Sequence, residues 1–249
     1  MPNSRNFIYG FIAFSCGTLL ALFGWGSPLN FLYFGLCAMV TFFHELGHTF
    51  FSWIFGIPTL PMFDFKNGGG WSLPLTGHSI SAQIAVLCAA ACALYYQRDM
   101  IYPTAMKAAI AFLVVFGMIG FTDFYEDVIL FMGHGATAIL GGFMLARGIY
   151  GVFLTRREER WLNVFVGAFF IVDQVKMCNA LLHDVEYQMF YETQKGGHGM
   201  GDLSRIANNH LWTQDSVAVF LMVFTIAMAV VIPVITAALV RKYSNPEFS

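Results

Sequence analysis

The sequence predicts an all-α polytopic membrane protein with about seven transmembrane helices and a short membrane-associated β-hairpin after the second. Composition is the first reason, because 57% of the 249 residues are hydrophobic, 11% are charged and 27 are phenylalanine. This balance is typical of a chain that lies mostly in lipid. The sequence shows neither an internal repeat nor a soluble segment of domain size, so residues 1–249 are predicted to form a single integral membrane domain.

Long apolar runs are the second reason. A helix needs about 20 residues to cross a hydrocarbon core of about 30 Å. Runs of about this length occur at residues 7–23, 29–55, 79–97, 104–121, 128–153, 161–183 and 216–240. The first run is predicted to be a retained helix rather than a signal peptide, because no small-x-small cleavage site follows it.

Aromatic residues at the ends of the runs are the third reason. Trp25, Trp161, Trp212 and Tyr243 fall at predicted helix ends. Amphipathic rings prefer the headgroup layer of a bilayer, so these four positions support the boundaries independently of the hydropathy.

The charged residues predict an orientation and exclude one class of partner. With seven spans, one side of the membrane collects most of the basic residues, namely Arg98, Lys107, Arg147, Arg156, Arg157, Arg160, Arg241 and Lys242. That side is predicted to be cytoplasmic, which places the C-terminus inside and the N-terminus outside. The net charge is only −2 and no basic patch is interleaved with aromatics, so nucleic acid is excluded as a partner. The apolar composition predicts contact with membrane lipids instead.

Two loops interrupt the apolar pattern. In loop 56–78 three prolines exclude a continuous helix, and Asn67-Gly68 is a turn signal between "MFDF" and "WSLP", so a β-hairpin is predicted there. Loop 184–215 is polar and contains the glycine-rich "KGGHGMG", which predicts mobility and solvated side chains at His198 and His210. The acidic "TDFYED" at 122–127 is predicted to be a solvated interhelical turn.

The stretch "FFHELGHTFF" places three ionisable residues inside the second apolar run. His44 and His48 are four residues apart and therefore lie on one helical face, with Glu45 beside them. This HExxH pattern is typical of zinc hydrolases, in which two imidazoles bind Zn²⁺ and the carboxylate acts as general base. The alternatives are that Glu45 only fastens the bundle through a polar partner, or that one histidine is an axial ligand of a haem.

The same region resembles a known family. "HELGHTFFSWIFGIPTL" followed by "FDFKNGGGW" is similar to the site-2 protease family of intramembrane zinc metalloproteases, over about residues 38–75. The resemblance implies that His44 and His48 are metal ligands, that Glu45 is catalytic, and that the hairpin holds an extended strand of a transmembrane protein substrate by edge pairing. It also implies a third ligand from an aspartate in a later helix.

The third ligand has several candidates. Asp173 in "FFIVDQVKMCNALLHD" is the acidic residue well inside a later apolar run, although Gln174 follows it where the family has glycine. An ion pair with Lys176, three residues on, is the alternative role for Asp173. His134 in "FMGHGATAIL" is the alternative ligand.

Two functions of different classes follow from these residues. The first is hydrolysis of peptide bonds in transmembrane substrates. The second is a non-catalytic accessory or assembly subunit that retains the HExxH site and contacts neighbouring subunits of a larger membrane complex. Ion transport is a third alternative, because intramembrane acids and histidines also form ion pathways.

Overall fold

A computed structural model describes residues 4–64, 69–99, 103–156, 158–193 and 199–244. These residues form nine α-helices and one two-stranded antiparallel sheet. Their bounds are α1 Ser4–Phe23, α2 Asn30–Ile54, β1 Thr59–Asp64, β2 Gly69–Pro74, α3 Ile80–Tyr96, α4 Pro103–Ile119, α5 Tyr125–Tyr150, α6 Glu159–His183, α7 Val185–Thr193, α8 Asp202–His210 and α9 Gln214–Ser244.

Three helices among the described residues are long and apolar enough to cross a membrane. They comprise Tyr125–Tyr150, Glu159–His183 and Gln214–Arg241. Shorter apolar helices lie at Phe7–Phe23, Ile80–Tyr96 and Ala105–Ile119. The mostly helical fold is confirmed, whereas the prediction of seven spans is not. α2 has the necessary length, but His44, Glu45 and His48 lower its mean hydropathy.

α5 is the central helix of the bundle. It packs against α2, α6 and α9, while α1 packs against α6. Glycine permits the close approach of α2 to α5, because a Cβ at Gly47 would lie 2.7 Å from the Cβ of Ala136. Small residues at helix contacts are typical of membrane bundles. The close approach matters for function because the HExxH residues of α2 face α5.

The predicted β-hairpin is present in loop 56–78. β1 and β2 pair in an antiparallel register that runs from Thr59 opposite Pro74 to Asp64 opposite Gly69. The predicted turn at Asn67-Gly68 lies outside the described residues. The hairpin folds back along α2, where the ring of Phe63 stacks on Phe42 with centroids 5.6 Å apart. β2 is thereby brought beside the HExxH turn.

The described residues of loop 184–215 form two short helices, α7 and α8, and then the start of α9. The Asp184 carboxylate accepts a hydrogen bond from the Tyr187 backbone N–H at 3.1 Å, within the first turn of α7. The inner side of α8 buries Leu203, Ile206 and Ala207 in an apolar cluster with α6 and α9. His198 lies outside the described residues. The segment between the long helices therefore packs on the bundle.

Candidate metal centre

Three ligand-type side chains converge inside the bundle. The Nε2 atoms of His44 and His48 are 2.9 Å apart. Oδ2 of Asp202 lies 3.0 Å from Nε2 of His44 and 3.2 Å from Nε2 of His48. The histidines come from α2 and the aspartate from the first turn of α8, which is more than 150 residues away in sequence. These three residues form a group that can hold a metal ion.

The spacing of the three donor atoms fits one small cation. Ligands about 2.05 Å from a tetrahedrally coordinated ion are separated from one another by about 3.3 Å. The observed separations of 2.9 to 3.2 Å differ from this by a few tenths of an ångström. Two neutral imidazoles and one carboxylate are also the donor types that divalent transition metals select. Side-chain adjustments alone would complete the fit.

The orientation of His48 is fixed by α5. Its Nδ1 lies 2.7 Å from the carbonyl oxygen of Ile129. A carbonyl can only accept, so Nδ1 carries the hydrogen and Nε2 is the atom that exchanges a proton for a metal ion. A hydrogen bond of this kind on the non-ligating nitrogen is typical of metal-bound histidine. Glycine at 133 makes room for the rings, since a Cβ there would lie 2.7 Å from Cε1 of His44.

Glu45 lies next to the three-residue group. Its side chain is buried, and Oε1 is 4.0 Å from Nε2 of His44. β2 passes directly over the carboxylate, because a Cβ at Gly70 would lie 2.6 Å from Oε1. The Glu45 carboxylate is therefore placed to exchange a proton with a molecule that binds beside His44 and His48.

Asp202, rather than Asp173, joins the two histidines. Asp173 lies on α6 and lines the same cavity, but it does not belong to the group of three donor atoms. Its neighbour Lys176 donates a hydrogen bond to the Ala21 carbonyl oxygen at 3.1 Å and lies 5.6 Å above the Tyr33 ring. Asp173 was predicted because it lies inside an apolar run. The carboxylate that joins the histidines lies outside such runs, so this criterion does not identify it.

Sequence reasoning missed Asp202 because it lies in the polar loop between apolar runs. One local signal was available. Asp202 follows a glycine and precedes Leu203, Ile206 and Ala207, the spacing of an amphipathic helix with an acid in its first turn. This signal identifies a helix start, but it does not show which surface the helix contacts.

The backbone before Asp202 is tied to α7. The Gly201 N–H donates to the Tyr191 carbonyl oxygen at 2.8 Å, and a Cβ at Gly201 would lie 2.7 Å from Cζ of the Tyr191 ring.

Burial opposes ionisation of Asp202, but the charge of His48 and hydrogen bonds from both imidazoles outweigh it and hold the pKa of Asp202 well below its usual range. A metal ion would supply the same positive charge.

His134, the alternative third ligand, lies behind His44. The two ring centroids are 4.3 Å apart. Nε2 of His134 is 3.2 Å from the Tyr191 hydroxyl, and the His134 carbonyl accepts a hydrogen bond from Gln174 at 3.0 Å. His134 is thus outside the group of three donor atoms and connects α5 with α6 and α7.

Two residues predicted to be solvated take part in the fold around the site. Asp127 is only 6% exposed. Its Oδ2 is 2.7 Å from Nε2 of His210, and its Oδ1 accepts a hydrogen bond from Asn209 at 2.9 Å. The prediction of a fully solvated "TDFYED" turn is wrong at Asp127, because α8 packs over the start of α5.

A cavity of about 710 Å³ opens onto the candidate metal centre. Its lining includes residues of α2 between Tyr33 and His48, Asp173 and Lys176 of α6, and residues 69–72 of β2. From Tyr33 to His44 the α2 wall rises about 16 Å, at 1.5 Å per residue. This is the length of about five residues of extended chain.

No protein-family model, curated protein or solved structure matches the chain. The resemblance of residues 38–75 to site-2 proteases therefore remains a prediction from their motifs.

Proposed function

We propose that this chain is a multi-pass integral membrane zinc metalloprotease that hydrolyses peptide bonds of transmembrane substrates. The observation that carries the proposal is the convergence of two imidazoles and the Asp202 carboxylate beside Glu45. The described part of the bundle also includes three helices that are long and apolar enough to cross a membrane. The distribution of basic residues supports a cytoplasmic C-terminus.

Zinc suits the donor set. Two histidines and one carboxylate are a known protein ligand set of catalytic zinc and leave a fourth position for water or substrate. His44 and His48 supply nitrogen ligands through Nε2, and Asp202 supplies an oxygen through Oδ2. A bound zinc ion would lower the pKa of its water to about 7, which would make a nucleophile available near neutrality.

Glu45 handles the proton in the proposed reaction. Its carboxylate takes a proton from the attacking water and later transfers it to the nitrogen of the leaving amine. Burial beneath β2 keeps the carboxylate away from bulk solvent, and Gly70 leaves the space that the side chain needs. The carboxylate therefore has both the position and the shielding that proton transfer requires.

The substrate reaches the site as an extended segment. A transmembrane helix satisfies all its backbone hydrogen bonds internally, so it must unwind locally before a peptide carbonyl is accessible. The β2 backbone borders the cavity next to Glu45 and pairs with β1 along one edge. Its second edge offers the strand pairing that holds an extended peptide.

The test compares wild type with Glu45→Gln, which keeps the shape of the side chain but removes the proton acceptor. Glu126→Gln, at an exposed position, is the matched control. Each protein is reconstituted with single-span peptides that carry central glycine or proline, and fragments are identified by mass spectrometry. We expect Glu45→Gln to retain zinc and to lose cleavage by at least about 100-fold.

Equal cleavage by wild type and Glu45→Gln would overturn the assignment of Glu45. No cleavage by any of the proteins, combined with stoichiometric co-purification of other membrane subunits, would favour the accessory-subunit function instead.

A further inference from the structure

We propose that Asp127 is a positioning residue for the metal ligand Asp202 and acts by holding the opposite end of α8. The inference rests on the metal site of the proposed function but not on proteolysis. α8 presents Asp202 to the histidines from its first turn, and Asn209 and His210 in its last turn contact Asp127. The contact between Asp127 and these two residues is called the α8 clamp below.

The α8 clamp uses both oxygens of one buried carboxylate. Oδ1 of Asp127 accepts from the Asn209 amide at 2.9 Å, and Oδ2 contacts Nε2 of His210 at 2.7 Å. Asp127 itself is 6% exposed, in the first turn of α5. Two directional contacts to consecutive residues fix both the rotation of the last turn of α8 and its position along the helix axis.

A short helix needs such a constraint. α8 has nine residues and is about 13 Å long, which is below the length at which a helix is stable by itself in water. Its inner face is buried through Leu203, Ile206 and Ala207. Apolar burial is non-directional, so by itself it does not fix the rotation or the axial position of a helix. The α8 clamp fixes the rotation and the axial position of α8, and these two quantities set where Asp202 lies.

α5 serves as a common reference for the two parts of the metal centre. Asp127 holds α8, and two residues later the Ile129 carbonyl holds Nδ1 of His48. Loss of the Asp127 side chain would release α8 while the Ile129 carbonyl still oriented His48. The predicted consequence is a displaced Asp202 beside correctly placed histidines.

The decisive experiment measures Zn²⁺ affinity of the purified full-length chain in detergent by competition with a chelator. Asn209→Ala removes one clamp contact from an exposed residue, and Asn208→Ala is its matched control on the adjacent exposed position, where the amide contacts Met200 Sδ at 3.2 Å. Changes in residues that support metal ligands typically weaken binding about 10- to 100-fold. We expect about 10-fold for Asn209→Ala and less than about twofold for Asn208→Ala.

A second pair of variants tests the carboxylate itself. Asp127→Ala is expected to weaken Zn²⁺ binding by up to about 100-fold, with Glu126→Ala as the control for loss of a neighbouring charge. Asp127→Asn keeps one acceptor oxygen and should recover part of the affinity. In Asp127→Ala the absorption spectrum of the Co²⁺-substituted protein should change, because a displaced Asp202 alters the coordination of the ion. A general loss of stability would leave the spectrum of the folded fraction unchanged.

The outcomes separate the two proposals. Equal affinities within the Asn208 and Asn209 pair would overturn the positioning role and leave the metal site standing, even if Asp127→Ala does not fold. A wild-type chain that binds no Zn²⁺ would overturn both the metal site and the positioning role. Tight Zn²⁺ binding that depends on the clamp, without any cleavage, would overturn proteolysis alone.

Discussion

α2 and α8 both bring ligands to the candidate metal centre, but they hold those ligands in different ways. The two histidines of α2 converge because one turn of a helix separates them, and their helix is long and packed along α5. Asp202 belongs to a nine-residue helix whose position depends on its apolar inner face, on Tyr191 and on Asp127. One part of the site is thus built into local geometry, and the other depends on tertiary contacts.

The two parts should therefore respond differently to mutation. The α2 part should fail only when a ligand itself, or the space that it occupies, is changed. The α8 part should also weaken through residues that never touch the metal ion.

Removal of a histidine should have the largest effect. His44→Ala or His48→Ala leaves one imidazole nitrogen and the Asp202 carboxylate, which are two protein ligands where catalytic zinc sites have three. We expect the metal content to fall from about one zinc ion per chain to less than about a tenth. Metal analysis of the purified proteins measures this directly, with His78→Ala as the control. Equal zinc content in all four proteins would remove the basis of the metal centre.

The two aspartates offer the sharpest contrast between local pattern and tertiary structure. Asp202→Ala should weaken Zn²⁺ binding by about 100-fold or more, because it removes the oxygen ligand. Asp173→Ala should change the affinity by less than about threefold, because Asp173 is outside the group of three donor atoms. Chelator competition measures both. The opposite ranking would restore Asp173 as the third ligand.

A substitution in α5 should disturb the histidines without removing a ligand. In Gly133→Ala the new methyl group would overlap the ring of His48 and lie 2.7 Å from Cε1 of His44. We expect about 10-fold weaker metal binding and a loss of about 1–3 kcal/mol in the free energy of unfolding.

Gly135→Ala is the control for Gly133→Ala, because its Cβ would meet the side chains of Met132 and Phe131. Thermal unfolding in EDTA and Zn²⁺ competition are measured for both variants. Wild-type metal affinity in Gly133→Ala would show that α2 holds its rings independently of α5.

The smallest effect is expected at the hydroxyl of Tyr191. Tyr191→Phe removes its contact with Nε2 of His134 but keeps the ring that packs on Gly201. A lost neutral hydrogen bond costs about 1 kcal/mol, so metal affinity should fall by at most about fivefold. Tyr187→Phe, one turn earlier on α7, is the control. An identical affinity in both variants would show that the ring of Tyr191 alone supports the turn before Asp202.

Much of the α2 part of the site was predictable because its determinants are close in sequence. The four-residue spacing of His44 and His48 places their rings on one helical face in any α-helix. The hairpin was predictable for a similar reason, since the prolines and the Asn67-Gly68 signal exclude a helix over loop 56–78. The structure confirms both strands.

The number of spans was less predictable from the same pattern. Hydropathy marks apolar runs, but an apolar run can be a buried or short helix as well as a complete span. Three helices among the described residues have the length and composition to cross a membrane, whereas α3 and α4 have 17 residues each. The length of an apolar run therefore did not determine the number of spans.

The helical class, the hairpin after α2, and the placement of Glu45 beside two convergent imidazoles follow from the amino-acid pattern. The contact of Asp202 with the imidazoles, the burial of Asp127 beneath α8, and the passage of β2 over Glu45 arise only when the chain packs. The two groups of features differ in the range of the interactions that produce them. Helix and turn geometry follow from residues a few positions apart, whereas contacts between α2 and α8 join residues more than 150 positions apart and form only when the whole bundle packs around α5.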